Sequence, residues 1–237
     1  MKKRLTVAMP LSWSHVYSPF MLSLVQMCLH ASGKFDLAVY TSNASLIDKM
    51  REVLADEVMT DSPDYVLWLD ADQLYPMETM ERLARHIDAG HLVVGGITPD
   101  KHTARPMVYR FINDIGTTVC VRGFETDQGV VKVDAMGFGG IMMAGEVLKA
   151  LKPPYFPRTW DEAMQTYIGE DFGFYNKCRK AGIDVWCDTG LYYSHMVATA
   201  VNVNRATECK SWENLETFGA KPKGMKEDEL QAGLEVS

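Results

Sequence analysis

The chain has 237 residues, of which 47% are hydrophobic, and this is enough to bury the core of one α/β domain. The formal net charge of −7 provides no overall positive field that would attract nucleic acid or an anionic membrane. The five cysteines are odd in number, scattered and without a Cys-x-x-Cys pair, which predicts reduced thiols and argues against a disulfide framework or a zinc site.

Strands and helices alternate in the first part of the chain. The uncharged stretch from Leu5 to Gly33 is interrupted by Pro10 and Pro19, so it is too short to form a membrane-spanning helix or a signal sequence. Predicted strands cover Leu5–Met9, Phe35–Tyr40, Tyr65–Leu69 and Leu92–Ile97. Predicted helices run from Pro19, capped by Ser18, to near Gly33, from about Ser45 to Met59, and from Pro76 to Ala89. This alternation predicts a parallel sheet of the nucleotide-binding kind.

After Thr98 the pattern changes to short alternating segments, which predict antiparallel strands. These strands cover Met107–Ile112, Thr117–Val121 and Val130–Asp134. The remaining predicted elements are a strand Ile141–Ala144, a helix Glu146–Leu151, a loop Pro153–Asp161 that forms a lid or acceptor wall, a helix Phe172–Ala181, and strands Ile183–Cys187 and Leu191–Ser194. We expect one catalytic domain, residues 1–200, followed by a surface helix and tail, residues 201–237.

The strongest local signal is an acidic pair directly after a buried strand. Tyr65–Leu69 runs into Asp70 and Asp72, and residues two apart in an extended chain point to the same face. Ligands of open α/β sheets collect at the carboxyl ends of the strands, where this pair lies. Paired carboxylates suit a hard divalent ion, although a strand-end Asp-x-Asp can also be a turn and a helix cap.

Glycines cluster in the segment MGFGG. Gly139 and Gly140 allow the backbone to approach a ligand closely, because a glycine has no side chain in the way. The segment is not a dinucleotide fingerprint, because no Gly-x-Gly-x-x-Gly follows the first strand.

Four motifs in this order resemble nucleotide-sugar glycosyltransferases of the A-type fold, family-2-like, of the small bacterial or phage type. They are Asp70-Ala71-Asp72, the segment VDAMGFGGIMMAGEVLKAL, the segment GEDFGFYNKCRKAGIDVWCD, and His195. The resemblance covers roughly residues 3–195 and implies an α/β fold, a single-domain nucleotide-binding sandwich with a mixed, mostly parallel central sheet. Phage-type members often carry an Arg-Asn pair in the second helix, whereas this chain has Arg51-Glu52.

The resemblance implies a metal site and a catalytic base. Asp70, Asp72 and His195 would hold Mn²⁺ (or Mg²⁺), and a mixed carboxylate and imidazole set favours manganese. Asp171 of the dipeptide Glu170-Asp171 would deprotonate the acceptor hydroxyl in an inverting reaction. Both acids precede a predicted helix, so they could also cap it, and the helix dipole would then keep Asp171 charged and its pKa low.

The remaining implied contacts are with the donor. The pocket for the nucleotide base is expected at the ends of the first two strands. Basic side chains are expected to contact the diphosphate, and exposed salt bridges are their alternative role. The expected nucleotide-sugar residues are Pro10, Ser12, Thr41, Arg51, Asp70, Ala71, Lys101, Arg105, Gly139 and Gly140.

These features predict a metal-dependent glycosyltransferase that uses a nucleoside-diphosphate sugar, UDP-linked, and acts in the cytoplasm, or in the host cytoplasm if the chain is phage-encoded. Three alternatives stay open. A sugar-nucleotide nucleotidyltransferase needs a Gly-rich, lysine-bearing loop after the first strand, and PLSWSHVY lacks both. A metal-dependent nuclease is disfavoured by the negative charge. A non-catalytic nucleotide-sugar-binding module would have lost the acids or the metal site. The acceptor, whether glycan, protein, small molecule or modified DNA base, stays open.

Overall fold

The computed structural model describes residues 2–11, 16–44, 46–121 and 124–197, and contacts group Met1–Met196 into one compact unit. Two predicted features lie outside the described residues: Ser12, and the surface helix and tail of residues 201–237. Within the described ranges, every helix is too short or too polar to cross a membrane.

Five helices and fourteen strands make up the described part of the chain. The helices are α1 Ser18–Ala31, α2 Ile47–Thr60, α3 Thr79–Asp88, α4 Gly145–Leu151 and α5 Glu170–Lys180. The strands are β1 Lys3–Pro10, β2 Phe35–Ser42, β3 Tyr65–Trp68, β4 Gln73–Leu74, β5 Val93–Ile97, β6 Val108–Phe111, β7 Thr118–Cys120, β8 Val130–Val133, β9 Ala135–Met136, β10 Ile141–Ala144, β11 Thr159–Asp161, β12 Thr166–Ile168, β13 Val185–Tyr192 and β14 Ser194–His195.

The centre of the fold is a seven-stranded sheet with the order β2-β1-β3-β10-β5-β13-β8. β1 is parallel to β2 and β3, and β13 is parallel to β5, whereas β10 lies antiparallel between β3 and β5. β8 closes one edge, antiparallel to β13. The prediction of an α/β fold with a mixed, mostly parallel central sheet is therefore confirmed.

The core follows from the apolar pattern of the central elements. All four residues of β3 are buried, as their continuous apolar run predicts for a strand covered on both faces. On α3, Met80, Leu83, Ala84 and Ile87 are buried at the spacing of one helical face. The aspartate motif therefore follows directly on a fully buried strand of the sheet, and the packing of that strand fixes where the motif begins.

Several predicted boundaries were wrong. Ser18 lies inside α1, with Tyr17 at the N-cap and no side-chain cap hydrogen bond. α3 begins at Thr79, because the carbonyl of Pro76 accepts the Thr79 amide and hydroxyl in a preceding turn. Residues 185–192 form one strand, β13, with a register shift between Asp188 and Tyr192.

The antiparallel strands predicted after Thr98 are confirmed, because β6 pairs antiparallel with β7, and β8 pairs antiparallel with β13 at the edge of the central sheet. One prediction about this part of the chain needs correction. The predicted loop Pro153–Asp161 ends in strand β11, which pairs with β12 in a hairpin.

Candidate active site

A cleft of about 480 Å³ lies at the carboxyl ends of β1 and β3. Its position is the one expected for ligands of open α/β sheets. Its walls include seven of the residues predicted to form the site: Pro10, Arg51, Asp70, Ala71, Asp72, Lys101 and His195. The fold thus brings together the acidic motif, two basic side chains and a histidine from distant parts of the sequence.

The turn that carries Asp70 and Asp72 is held by a buried tyrosine. The Tyr75 hydroxyl accepts the Asp70 amide at 2.9 Å and donates to the Asp70 carbonyl oxygen at 3.1 Å. The Tyr75 ring packs edge-on against Phe20 and Tyr193. Sequence reasoning gave Tyr75 no role, because a hydroxyl that bonds back to the motif has no pattern of its own along the chain.

A two-residue ladder brings His195 to this turn. β14 pairs antiparallel with β4, so that His195 lies opposite Gln73, and the Met196 amide donates to the Asp72 carbonyl oxygen at 2.8 Å. His195 Nε2 lies 3.6 Å from Asp72 Oδ2, and Nδ1 lies 2.9 Å from the Pro99 carbonyl oxygen. An Nδ1–H that donates to Pro99 fixes the ring so that Nε2 faces Asp72.

Asp72 is surrounded by cationic groups. Lys101 Nζ lies 2.6 Å from Asp72 Oδ2, the oxygen that also faces His195. Burial would raise the pKa of Asp72, but the hydrogen bonds from His195 and Lys101 outweigh it and lower that pKa to about 2. For His195 the net shift is upward. Burial by itself would lower the pKa of His195, but its hydrogen bonds to Asp72 and to the Pro99 carbonyl outweigh burial and raise that pKa. Asp72 therefore stays ionised throughout the neutral range.

Arg51 joins the acidic motif to the acidic dipeptide. Its side chain is only 5% exposed, its Nη2 lies 3.3 Å from Asp70 Oδ1, and its Nη1 lies 2.7 Å from Glu170 Oε1. Its guanidinium also stacks 4.5 Å from the centre of the Phe138 ring. The alternative role proposed for Arg51, an exposed salt bridge, was wrong, because α2 turns this residue inward onto two carboxylates.

The two acids of the dipeptide lie in the first turn of α5, which begins at Glu170, two residues earlier than predicted. Asp171 Oδ1 accepts the Phe172 amide at 2.8 Å, and a Cβ on Gly169 would lie 2.8 Å from the same oxygen. Gly169 is the N-cap and supplies no side-chain cap. Glycine at this position therefore leaves room for the Asp171 carboxylate.

The expected low pKa of Asp171 was wrong. Burial raises this pKa to about 6, the charge of Glu170 adds to the increase, and Arg51 opposes it without reversing it. The favourable helix terminus and the Phe172 amide are too weak to compensate for the loss of water. Asp171 is thus a carboxylate that exchanges its proton close to neutral pH.

The donor set suits a divalent ion only in part. Within the described ranges, no three His, Cys, Asp or Glu side chains converge to hold a metal. The predicted set of three is not assembled, because Asp70 Oδ1 is turned to Arg51. Asp72 and His195 offer one carboxylate oxygen and one imidazole nitrogen, a pair that would suit an ion only if its other ligands came from a bound diphosphate and water.

The other predicted residues lie elsewhere. Thr41 is exposed near the end of β2, and Arg105 is exposed in the loop after Thr98, and neither lines the cleft. Gly139 is buried, and a Cβ there would lie 2.7 Å from Asp70 Oδ2. Gly140 has φ +84°, and a Cβ would lie 2.1 Å from the Tyr193 ring. Gly139 and Gly140 therefore allow the backbone to pack closely against protein side chains next to the aspartate motif.

A second cleft, of about 560 Å³, lies between β6 and β8. Its walls include Val108, Tyr109, Val131 and Asp134, and they include none of the predicted site residues. The second cleft therefore contains none of the described residues that were predicted to form the site.

No protein-family model matches the chain, and no curated protein matches it by sequence. Among solved structures, A197 from STIV matches with 18% identity and a TM-score of 0.58, covering 82% of this chain and 86% of that one. GalNAc-T7, solved with UDP, GalNAc and Mn²⁺, matches with 11% identity and a TM-score of 0.57, covering 83% of this chain and 43% of that one. At these identities the likeness shows the fold, which is that of A-type glycosyltransferases.

Proposed function

We propose that the chain is a metal-dependent glycosyltransferase that moves a sugar from a nucleoside-diphosphate sugar, UDP-linked, to an acceptor hydroxyl with inversion. The catalytic domain of this proposal spans residues 1–200. The observation that carries the proposal is the meeting of Asp72, His195 and Lys101 in a cleft at the carboxyl edge of an A-type fold. The neighbour of the same fold, solved with UDP and Mn²⁺, supports this choice of donor and ion.

The charged wall of the cleft suits a leaving diphosphate. Asp72 and His195 would hold Mn²⁺ or Mg²⁺, which when bound supplies Lewis-acid charge to the departing phosphate oxygens. Lys101 carries a further positive charge on the same side and can move from Asp72 to a phosphate oxygen, since its side chain is long and partly exposed. Preorganised positive groups of this kind stabilise the charge that develops in the transition state.

Asp171 provides the base. An acceptor hydroxyl must lose its proton as it attacks the sugar, and a carboxylate with a pKa of about 6 is ionised at neutral pH yet still basic. Glu170 Oε1 accepts Arg51 Nη1 at 2.7 Å, so the Glu170 carboxylate is already engaged in an ion pair between α2 and α5. In this proposal Glu170 and Arg51 position α5, and Asp171 receives the proton.

The direct test is incubation of the protein with a panel of nucleotide sugars and MnCl₂, followed by measurement of the nucleoside diphosphate released. We expect release from a UDP-linked sugar, and strong loss of release in Asp171→Asn. Asp184→Asn, which changes an exposed aspartate paired with Lys132, is the matched control and should release as the wild type does. If the protein binds UDP but releases no nucleoside diphosphate from any donor, the proposed transferase activity is contradicted and a non-catalytic nucleotide-sugar-binding module is favoured.

A further inference from the structure

The β11–β12 hairpin carries an exposed aromatic pair. Trp160 and Tyr167 lie directly opposite each other in the register of the two strands, so their rings emerge on the same face. The ring centres are 4.9 Å apart with an interplanar angle of 69°. Trp160 is 43% exposed and Tyr167 is 59% exposed. Two large rings therefore share one solvent-facing surface, and neither residue has a role in the proposed reaction.

The hairpin is fastened to the rest of the fold. Asp161 accepts the amides of Ala163 and Met164 at 3.0 and 3.1 Å, and it also accepts the Thr117 hydroxyl from outside the hairpin. At its base, the carbonyl oxygen of Pro157 lies so close to Gly173 of α5 that a Cβ there would be 1.9 Å from it. These contacts hold the aromatic pair in a fixed position relative to α5.

The same helix carries the acidic dipeptide. β12 ends at Ile168, and Gly169 alone separates it from Glu170. Three residues lie between Tyr167 and Asp171, so four extended steps along the chain place their Cα atoms at most about 14 Å apart. A short oligosaccharide that rests on the hairpin can therefore extend to the proposed base.

Polar groups border the two rings. Trp160 Nε1 donates to Glu162 Oε2 at 2.5 Å, and the Arg158 guanidinium lies 5.3 Å from the centre of the Tyr167 ring. Apolar ring surface next to a few fixed polar groups is the composition of small-molecule sites. A sugar ring matches it, because it has an apolar C–H face and a polar hydroxyl edge. The Glu162 carboxylate and the net charge of −7 disfavour a nucleic acid.

We propose that Trp160 and Tyr167 form a saccharide-binding platform that holds the acceptor, so that the acceptor is a glycan. This inference rests on the proposed function for its link to transfer, but saccharide binding itself needs no donor. The platform can therefore be tested in the absence of any nucleotide sugar.

The probe is an array of immobilised mono- to tetrasaccharides, with single-stranded DNA and unmodified peptides printed beside them. We expect the wild-type protein to bind saccharide spots only. Trp160→Ala and Tyr167→Ala should each reduce that signal by about 5- to 100-fold, as loss of one stacking ring does in other aromatic sites. Tyr167→Phe keeps the ring and should keep the signal, and Leu29→Ala, at a 70% exposed position on α1, is the control.

Each variant is also melted and titrated with UDP. Unchanged melting and UDP affinity, together with lost saccharide binding, would support the platform. No saccharide binding by the wild type, binding to DNA or peptide spots instead, or ring variants that bind as the wild type does would overturn it. If UDP is not bound at all, the proposed function fails, and the array result still decides the platform.

Discussion

Asp72 lines the cleft and Asp171 lies in the first turn of α5, and the pKa values of these two aspartates move in opposite directions. Both lose contact with water, which by itself raises the pKa of a carboxyl group. Asp72 has Lys101 and His195 at its oxygen, so its pKa falls to about 2. Burial raises the pKa of Asp171 to about 6, because Arg51, the cation that opposes this rise, is engaged by Glu170 and Asp70.

This difference shows that the cations around each aspartate determine whether its carboxyl group is always ionised or titrates near neutral pH. A carboxylate that is always ionised is suited to hold positive charge, whereas one that titrates near neutral pH is suited to take a proton. Arg51 connects the two regions, because it pairs with Asp70 on one side and with Glu170 on the other. The predictions that follow alter one region and leave the other unchanged.

The largest expected effect comes from removal of the proton acceptor. Asp171→Asn should lower the rate of sugar transfer by about 10²- to 10⁴-fold, since a positioned base contributes by that factor. The affinity for UDP should not change, because Asp171 does not line the cleft. Single-turnover kinetics and UDP titration measure the two separately.

Glu170→Gln tests the choice between the two acids. If Glu170→Gln loses transfer and Asp171→Asn keeps it, the base is Glu170. If neither change matters, the dipeptide has no catalytic part, and a retaining mechanism becomes the better account of the reaction.

A smaller effect is expected on the side of Asp72. Lys101→Met removes the cation that lies 2.6 Å from Asp72, so Mn²⁺ no longer competes with an ammonium group for that carboxylate. Because this pair is partly exposed, the affinity of the nucleotide-free protein for Mn²⁺ should rise by only about two- to fivefold. Titration of Mn²⁺ followed by electron paramagnetic resonance measures this directly. Lys132→Met, at an exposed pair with Asp184, should leave the affinity unchanged.

The smallest effect concerns stability and its dependence on pH. The pKa of Asp171 is raised in the folded state, so the folded protein binds its proton more tightly than the unfolded chain, and stability falls as pH rises from about 4 to about 6. Above this window the wild type carries a desolvated charge that Asp171→Asn lacks. After discounting for partial exposure, the variant should melt about 2–4 °C higher at pH 7.

Below pH 4 both proteins are neutral at this position, so the gain should disappear. Melting curves at pH 7 and pH 4 decide the sign. A variant that melts lower at pH 7, or that keeps its gain in acid, would show that the Asp171 carboxyl is not desolvated as described.

Local sequence patterns predicted the part of the site that is formed by one strand and the residues directly after it. The buried run before Asp70 defined β3 and placed the acidic pair at the sheet edge, and the alternation of elements predicted the sheet. The meeting of His195 with Asp72 was predicted through the family resemblance, and the structure brings it about by the β4–β14 ladder.

The remainder depended on contacts between distant segments. Arg51 and Glu170 are 119 residues apart, so no local pattern indicates that they meet, although Arg51 shares the buried face of α2 with Leu54 and Val58. The sign of the Asp171 pKa shift depends on how much water the surrounding elements exclude, which local helix rules do not describe. The β11–β12 hairpin was missed because its strands have three residues each, too short for a detectable alternation.

We propose that the cleft binds a nucleoside diphosphate through an ion held by Asp72 and His195. Calorimetric titration of UDP into the wild type and Asp72→Asn, each with Mn²⁺ and with a chelator, tests it most directly. We predict wild-type binding at least about tenfold tighter with Mn²⁺, a difference of about 1.4 kcal/mol, and no such difference in Asp72→Asn. Equal wild-type affinity in Mn²⁺ and in chelator would contradict the account.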